Sequence, residues 1–146
     1  MQKERARAGR PPIPVMLREG ARAVAAGRVA LGLTALAWPA VPARPWVGAA
    51  SQSVAAQVFG RALGARDLAL GLGALAALQG EDRGSAGMWV AAGALSDALD
   101  VVASVASWRD LPRLTRWLVV ASAGGAAVAG AAGALAMVAD RDGNAA

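Results

Sequence analysis

The sequence contains no cysteine, no histidine and no tyrosine, and it has a single phenylalanine. Without cysteine it can form no disulfide. Without cysteine and histidine it lacks the usual zinc ligands, the thiol and imidazole nucleophiles and the histidine of a catalytic triad. A histidine-ligated haem is excluded for the same reason. Because these groups are missing, we expect no enzymatic activity and no bound cofactor.

Charged residues are also scarce. They make up 17% of the 146 residues, whereas 56% are hydrophobic, and the mean hydropathy is +0.42. A soluble domain typically has about 25% charged residues. An alanine-rich soluble helical bundle is the alternative, but each of the 18 glycines would cost about 1 kcal/mol relative to alanine in a water-exposed helix. Small residues favour close helix packing in a bilayer, so the composition favours a membrane protein.

Four long apolar segments follow a polar start, and none shows the alternation of a strand. The sequence therefore predicts an all-α fold, an integral membrane four-helix bundle. The predicted organisation is a basic tail at 1–20, a transmembrane domain at 21–139 with spans at about 21–41, 54–78, 86–107 and 114–138, and a polar tail at 140–146. A cleaved signal peptide is the alternative interpretation of the first apolar segment.

The distribution of basic residues predicts the location. The net charge is +5, and six of the 15 basic residues lie in the first 22 positions. No basic face with interleaved aromatic residues is present, so we expect no nucleic-acid partner. With the N-terminus inside, eight basic residues fall on cytoplasmic segments and four on outer loops. This predicts a multi-pass protein of a bacterial inner membrane, with both termini cytoplasmic and the N-terminal tail near anionic lipid.

The charges inside the predicted spans are the main candidates for function. Each costs roughly 2.5–3.5 kcal/mol at a helix centre, so we expect them to be paired and to face protein or water. Depth matching predicts that Arg61 pairs with Asp100, and that Arg66 or the neighbourhood of Asp67 pairs with Asp97. The predicted polar network, in which the positive and negative groups balance, consists of Arg28, Gln57, Arg61, Arg66, Asp67, Asp97, Asp100 and Ser104.

Small residues form a second set of candidates, for helix packing. Gly60 and Gly64 have the small-xxx-small spacing that lets two membrane helices approach closely. The fourth span has a face of serine, glycine and alanine. The predicted packing residues are Gly60, Gly64, Gly71, Ser122, Gly130 and Gly133.

Residues 60–71 read Gly-Arg-Ala-Leu-Gly-Ala-Arg-Asp-Leu-Ala-Leu-Gly, and Asp97 and Asp100 follow in the next span. This pattern resembles small four-helix bacterial membrane proteins of the family called domain of unknown function 4267, which is broadly similar to DoxX-like proteins. The resemblance covers mainly the second and third spans. It implies a four-helix inner-membrane fold, and it implies no established activity.

Three hypotheses on function follow. The first is a non-enzymatic membrane protein whose Arg/Asp network fixes helix packing or lines a small polar cavity, with itself or another membrane protein as partner. The second is a small transporter or proton-coupled permease, with Asp97 and Asp100 as the coupling carboxylates. The third, an accessory subunit of a membrane oxidoreductase, rests on analogy of fold.

Overall fold

The computed structural model describes residues 15–80 and 82–145, and this part of the chain is helical without strands. It forms five α-helices and one 3-10 segment. The helices are α1 (Val15–Ala37), α2 (Ala40–Val47), α3 (Val54–Gln79), α4 (Arg83–Ala106) and α5 (Arg113–Ala145), with the 3-10 segment Gly48–Gln52 between α2 and α3. The all-α prediction is confirmed.

The helix boundaries have local causes. Ser53 caps α3, since its hydroxyl accepts a hydrogen bond from the Ala56 N–H, and the Asp82 carboxylate caps α4 by accepting from the Gly84 N–H. Pro39 follows the end of α1, where a proline cannot supply the N–H that would continue the helix. The chain bends there by 100° into α2 and the 3-10 segment.

Among the described residues, two helical stretches are long and apolar enough to cross a membrane, Gly84–Ala106 in α4 and Arg116–Met137 in α5. The bent pair Met16–Ala37 and Ala40–Gln52 would count as a third if it is one broken span. The predicted first span, at 21–41, extends past the bend. Residues 15–20, predicted as tail, are the first turns of α1. Residues 1–14 of that tail lie outside the described residues.

Helices α1 and α3 are antiparallel and closely packed along a seam of small residues. A Cβ added at Gly32 would lie 2.6 Å from the Gly64 carbonyl oxygen, and one at Gly71 would lie 2.7 Å from the Ala25 carbonyl oxygen. Ala25 and Gly32 are seven residues apart, as are Gly64 and Gly71, so each pair lies on one face of its helix. The two backbones can therefore approach almost to contact.

Helices α4 and α5 form the second closely packed pair. A Cβ added at Gly130 would lie 2.9 Å from the Ala94 Cβ, and one at Gly133 would be at an ordinary 3.8 Å from Val90. Between the two pairs, α3 faces α4 at Gly73, which lies directly against the Trp89 ring. Direct packing between α1 and α5 is slight.

The helix ends meet at two opposite ends of the molecule. At one end Leu78, Ala86 and Met137 form a small buried cluster, which brings together the end of α3, the start of α4 and the far part of α5. Arg18, near the start of α1, donates to the Leu78 carbonyl there. At the other end lie the bend after α1, α2 and the connector before α5, where Gly48, at a φ of +63°, faces Pro112.

Large apolar side chains cover the outer surface of the helices rather than a core. Val128 and Leu135 on α5 are 72% and 71% exposed, and Leu99 on α4 is 58% exposed. The buried hydrophobic residues are mainly alanines. This inverted distribution is expected where lipid tails, not water, contact the surface.

Candidate functional site: an arginine–aspartate network between three helices

Arg28 stands at the centre of a buried group of charges. It lies near the middle of α1 and is 9% exposed. Its Nη1 donates to Asp67 Oδ1 on α3 at 2.9 Å, and its Nη2 donates to the Gly93 carbonyl on α4 at 2.8 Å. Nη2 also lies 2.5 Å from Asp97 Oδ2. One guanidinium therefore joins three helices.

A second arginine continues the group toward the connector before α5. Arg66 binds Asp100 through two parallel contacts, Nη1 to Oδ1 at 3.0 Å and Nη2 to Oδ2 at 2.8 Å. Its Nη2 also donates to Asp67 Oδ1 at 3.2 Å, so Asp67 is shared between the two arginines. The bidentate geometry is the strongest that a guanidinium and a carboxylate can form. We call Arg28, Arg66, Asp67, Asp97 and Asp100 the ion network.

Helix register explains why Arg28 meets Asp67. On α1, Arg28 lies between Ala25 and Gly32, and on α3, Asp67 lies between Gly64 and Gly71. The small residues above and below bring the two backbones together, and the charged pair occupies the layer between them. Arg28 is a member of the network predicted from the sequence, but depth matching assigns it no partner.

The pairing of Arg61 with Asp100 is wrong: Asp100 binds Arg66 instead. Arg61 and Arg66 both lie at a depth along the helix that is compatible with Asp100. They lie on different faces of α3. Arg66 and Gly73 are seven residues apart on one face, and Gly73 contacts α4. Arg61 lies about 140° around the helix axis from Arg66, and it is exposed. Within residues 15–80 and 82–145 the structure gives Arg61 no ion pair.

Two uncharged members of the predicted network lie apart from its centre. Gln57 donates to the Gln52 carbonyl at 3.3 Å, near the start of α3. Ser104 is 2% exposed and donates to the Asp100 carbonyl one turn earlier in α4, at 2.7 Å. Its hydroxyl also accepts from the Trp46 indole at 3.3 Å, which connects α2 to the ion network.

The predicted packing glycines contact neighbouring helices to different degrees. Gly64 and Gly71 lie in the α1–α3 seam, and Gly130 approaches α4 closely. A Cβ at Gly60 would lie 3.3 Å from the Pro39 Cβ, at the bend after α1. Ser122 lies at an exposed position of α5.

Sequence reasoning missed Gly32, Gly93 and Trp46. Gly32 has a readable signal, because it is seven residues from Ala25 within the first span. Gly93 is four residues before Asp97, so its carbonyl and the Asp97 side chain lie on one face of α4. A Cβ at Gly93 would lie 3.4 Å from Arg28 Nε, which explains how the guanidinium rests against the helix backbone. No comparable signal marks Trp46.

A shallow open cavity lies away from the ion network. It has a volume of about 500 Å³ and opens between α1 and α3, near Glu19, Arg22, Leu75 and Gln79. Arg22 is the charged lining residue nearest to Arg28 along α1, and it lies about 9 Å from Arg28 along the helix axis. The exposed Arg22 and Glu19 form an ion pair of 2.7 Å at its rim. None of the residues that line this cavity belongs to the ion network.

Comparison of the chain with protein-family models, with curated proteins and with solved structures gives no match.

Proposed function

We propose that this chain is a non-enzymatic, multi-pass membrane protein in which α1, α3, α4 and α5 form a four-helix bundle, and that the ion network fixes the arrangement of these helices. The contacts of Arg28 with α3 and α4 carry this proposal. Arg28, Asp67 and Asp97 are about nine-tenths buried. Groups so enclosed and paired are suited to holding a helix arrangement, because separating them leaves charges without partners.

The exposed surface supports the membrane part of the proposal. Apolar side chains face outward along α4 and α5, and two helical stretches are long enough to span. In α3, Arg66 and Asp67 lower the mean hydropathy, but both are engaged in ion pairs. Pairing of this kind allows a helix with central charges to lie within a bundle.

The proposal extends to location and partners. The excess of arginine and lysine in the N-terminal segment supports a cytoplasmic N-terminus, and α3 and α4 return the chain so that α5 ends on the same side as α1 begins. We place the protein in a bacterial inner membrane, with the basic tail against anionic lipid and with another copy or another membrane protein as partner. This agrees with the resemblance to the family called domain of unknown function 4267.

Cysteine labelling tests the bundle directly, because the native chain has no cysteine. Single variants Val128→Cys and Leu99→Cys should resist a membrane-impermeant maleimide in intact membranes and react after denaturation. Asp110→Cys, in the connector before α5, should react in intact cells, and Gly80→Cys only after permeabilisation. Labelling of Val128→Cys in membranes as fast as Asp110→Cys would overturn the membrane bundle. If Gly80→Cys reacted in intact cells and Asp110→Cys reacted only after permeabilisation, the proposed orientation alone would be overturned.

A small transporter is the second candidate, and one observation favours it. Asp97 Oδ2 is buried and receives no aligned hydrogen bond, although it is close to Arg28. A carboxylate held in this way retains capacity to bind a further group. Uptake of a labelled substrate into vesicles that depends on Asp97 would favour transport over the purely structural role.

A further inference from the structure

The ion network contains an unequal number of charges. Two guanidinium groups, on Arg28 and Arg66, face three carboxylates, on Asp67, Asp97 and Asp100. If every group were ionised, one negative charge would remain without compensation. In the middle of a membrane an uncompensated aspartate is unfavourable, because no bulk water solvates its charge.

No other described residue supplies the missing positive charge. Arg61 is exposed on α3, about 140° around the helix axis from Arg66, and it makes no ion pair with the carboxylates of the network. Helix α5 has no charged residue between Trp117 and Met137. In α2, Arg44 is exposed, beyond the bend after α1. Charge balance must therefore come from a bound ion or a proton.

The three carboxylates differ in how well their negative charge is stabilised. Both oxygens of Asp100 receive N–H groups from Arg66. Asp67 Oδ1 receives N–H groups from both arginines. Asp97 has only the 2.5 Å approach of Arg28 Nη2, whose hydrogen bond goes to the Gly93 carbonyl, so its Oδ2 is buried without an aligned donor. Asp97 gains least from being ionised.

We infer that the ion network binds one proton, on the carboxyl group of Asp97. The step is a simple protonation, in which water supplies the proton, the Asp97 carboxylate becomes a carboxylic acid, and no other bond changes. Arg28 then balances Asp67, and Arg66 balances Asp100. The inference rests on the proposed burial of the network in a membrane and adds a ligand to it.

Infrared spectroscopy of the full chain in lipid vesicles at neutral pH tests this. The wild type should show the carbonyl stretch of one protonated carboxyl group, shifted in deuterated water. Asp97→Asn should lose this band and stay folded, because two arginines then face two aspartates. Arg66→Gln should roughly double the band, since it leaves three carboxylates with one arginine. Asp110→Asn and Arg61→Gln, outside the network, should leave the band unchanged.

Several results would overturn the inference. They are absence of the band in folded wild type, its persistence in Asp97→Asn, and no increase in Arg66→Gln. Loss of the band when sodium chloride replaces choline chloride would assign the site to a metal cation instead of a proton. Circular dichroism and thermal unfolding of each sample establish folding, and a folded Asp97→Asn suffices if Arg66→Gln does not fold. The cysteine labelling is independent, so failure of the proton site and failure of the membrane bundle are distinguishable.

Discussion

Arg28 and Asp67 occupy one layer of the α1–α3 seam, with Nη1 2.9 Å from Oδ1. The layers on either side consist of Ala25 with Gly71 and of Gly32 with Gly64. The ion pair thus lies where the two backbones are forced together, and it is enclosed by main chain and methyl groups more than by large side chains. Its contribution to stability depends on this enclosure.

Replacing Arg28 by glutamine should therefore be severely destabilising. The change removes the cation that contacts both Asp67 and Asp97 and leaves Arg66 alone to balance Asp67 and Asp100. Breaking a buried pair in this way costs about 3–5 kcal/mol. The free energy of unfolding of the purified chain, measured by denaturant titration in mixed micelles, reports the effect. Arg22→Gln is the matched control on α1, because Arg22 forms only an exposed pair with Glu19. Equal stability of the two variants would contradict a buried role for Arg28.

Arg66→Lys keeps the charge but removes the two-point contact with Asp100. A lysine cannot reproduce the planar fork of a guanidinium, and we expect a loss of about 1–2 kcal/mol, moderated by the 32% exposure of the Arg66 side chain. Denaturant titration in mixed micelles measures this loss in the free energy of unfolding. Arg61→Lys, five residues earlier on α3, should have no measurable effect. A loss at position 61 as large as that at 66 would show that Arg61 has a partner.

Gly32→Ala tests the small-residue seam. The added methyl group would lie 2.6 Å from the Gly64 carbonyl oxygen and 2.7 Å from the Leu68 nitrogen, both backbone atoms that cannot move aside independently. We expect a cost of about 1–3 kcal/mol from overpacking. Gly125→Ala is the control, because a Cβ there meets no atom within 4 Å. If both substitutions lower the thermal unfolding temperature equally, the seam is not closely packed.

Trp46→Phe removes the indole N–H that Ser104 accepts, while the Ser104 bond to the Asp100 carbonyl remains. Loss of this single hydrogen bond should cost about 0.5–1.5 kcal/mol. Trp38→Phe provides the comparison, since Trp38 is 67% exposed. Thermal unfolding monitored by circular dichroism measures both. A larger loss at position 38 would argue against the attachment of α2 to α4.

The helical class and the pairing of most charged candidates could be predicted because both depend on composition and spacing. Arg66, Asp67 and Asp97 lie near the centres of their helices, and charges placed there require partners. The choice of partner could not be predicted. Depth along the helix leaves both Arg61 and Arg66 opposite Asp100, and only the position of α4 around α3 distinguishes them.

The partner of Arg28 could not be predicted for a different reason. Depth relative to Asp67 depends on where α1 begins, and the predicted first span extended to 41 instead of stopping at Ala37. The bend at Pro39 is readable from the sequence as a helix end, but its angle is a tertiary property. The role of the Gly93 carbonyl could not be predicted either. Every residue has a main-chain carbonyl, so the residue type does not reveal which one accepts a hydrogen bond, apart from the missing side chain of glycine.

The corner at Pro39 restricts how α1 and α3 can slide along one another. Because Ala25 and Gly32 are seven residues apart, as are Gly64 and Gly71, a shift by seven residues would still place one small residue against another, while it would separate Arg28 from Asp67. Gly60 lies against Pro39, with 3.3 Å between a Cβ at Gly60 and the proline Cβ. The chain at the bend therefore blocks a sliding of α1 along α3. As a result, the small-residue seam has a single permitted register.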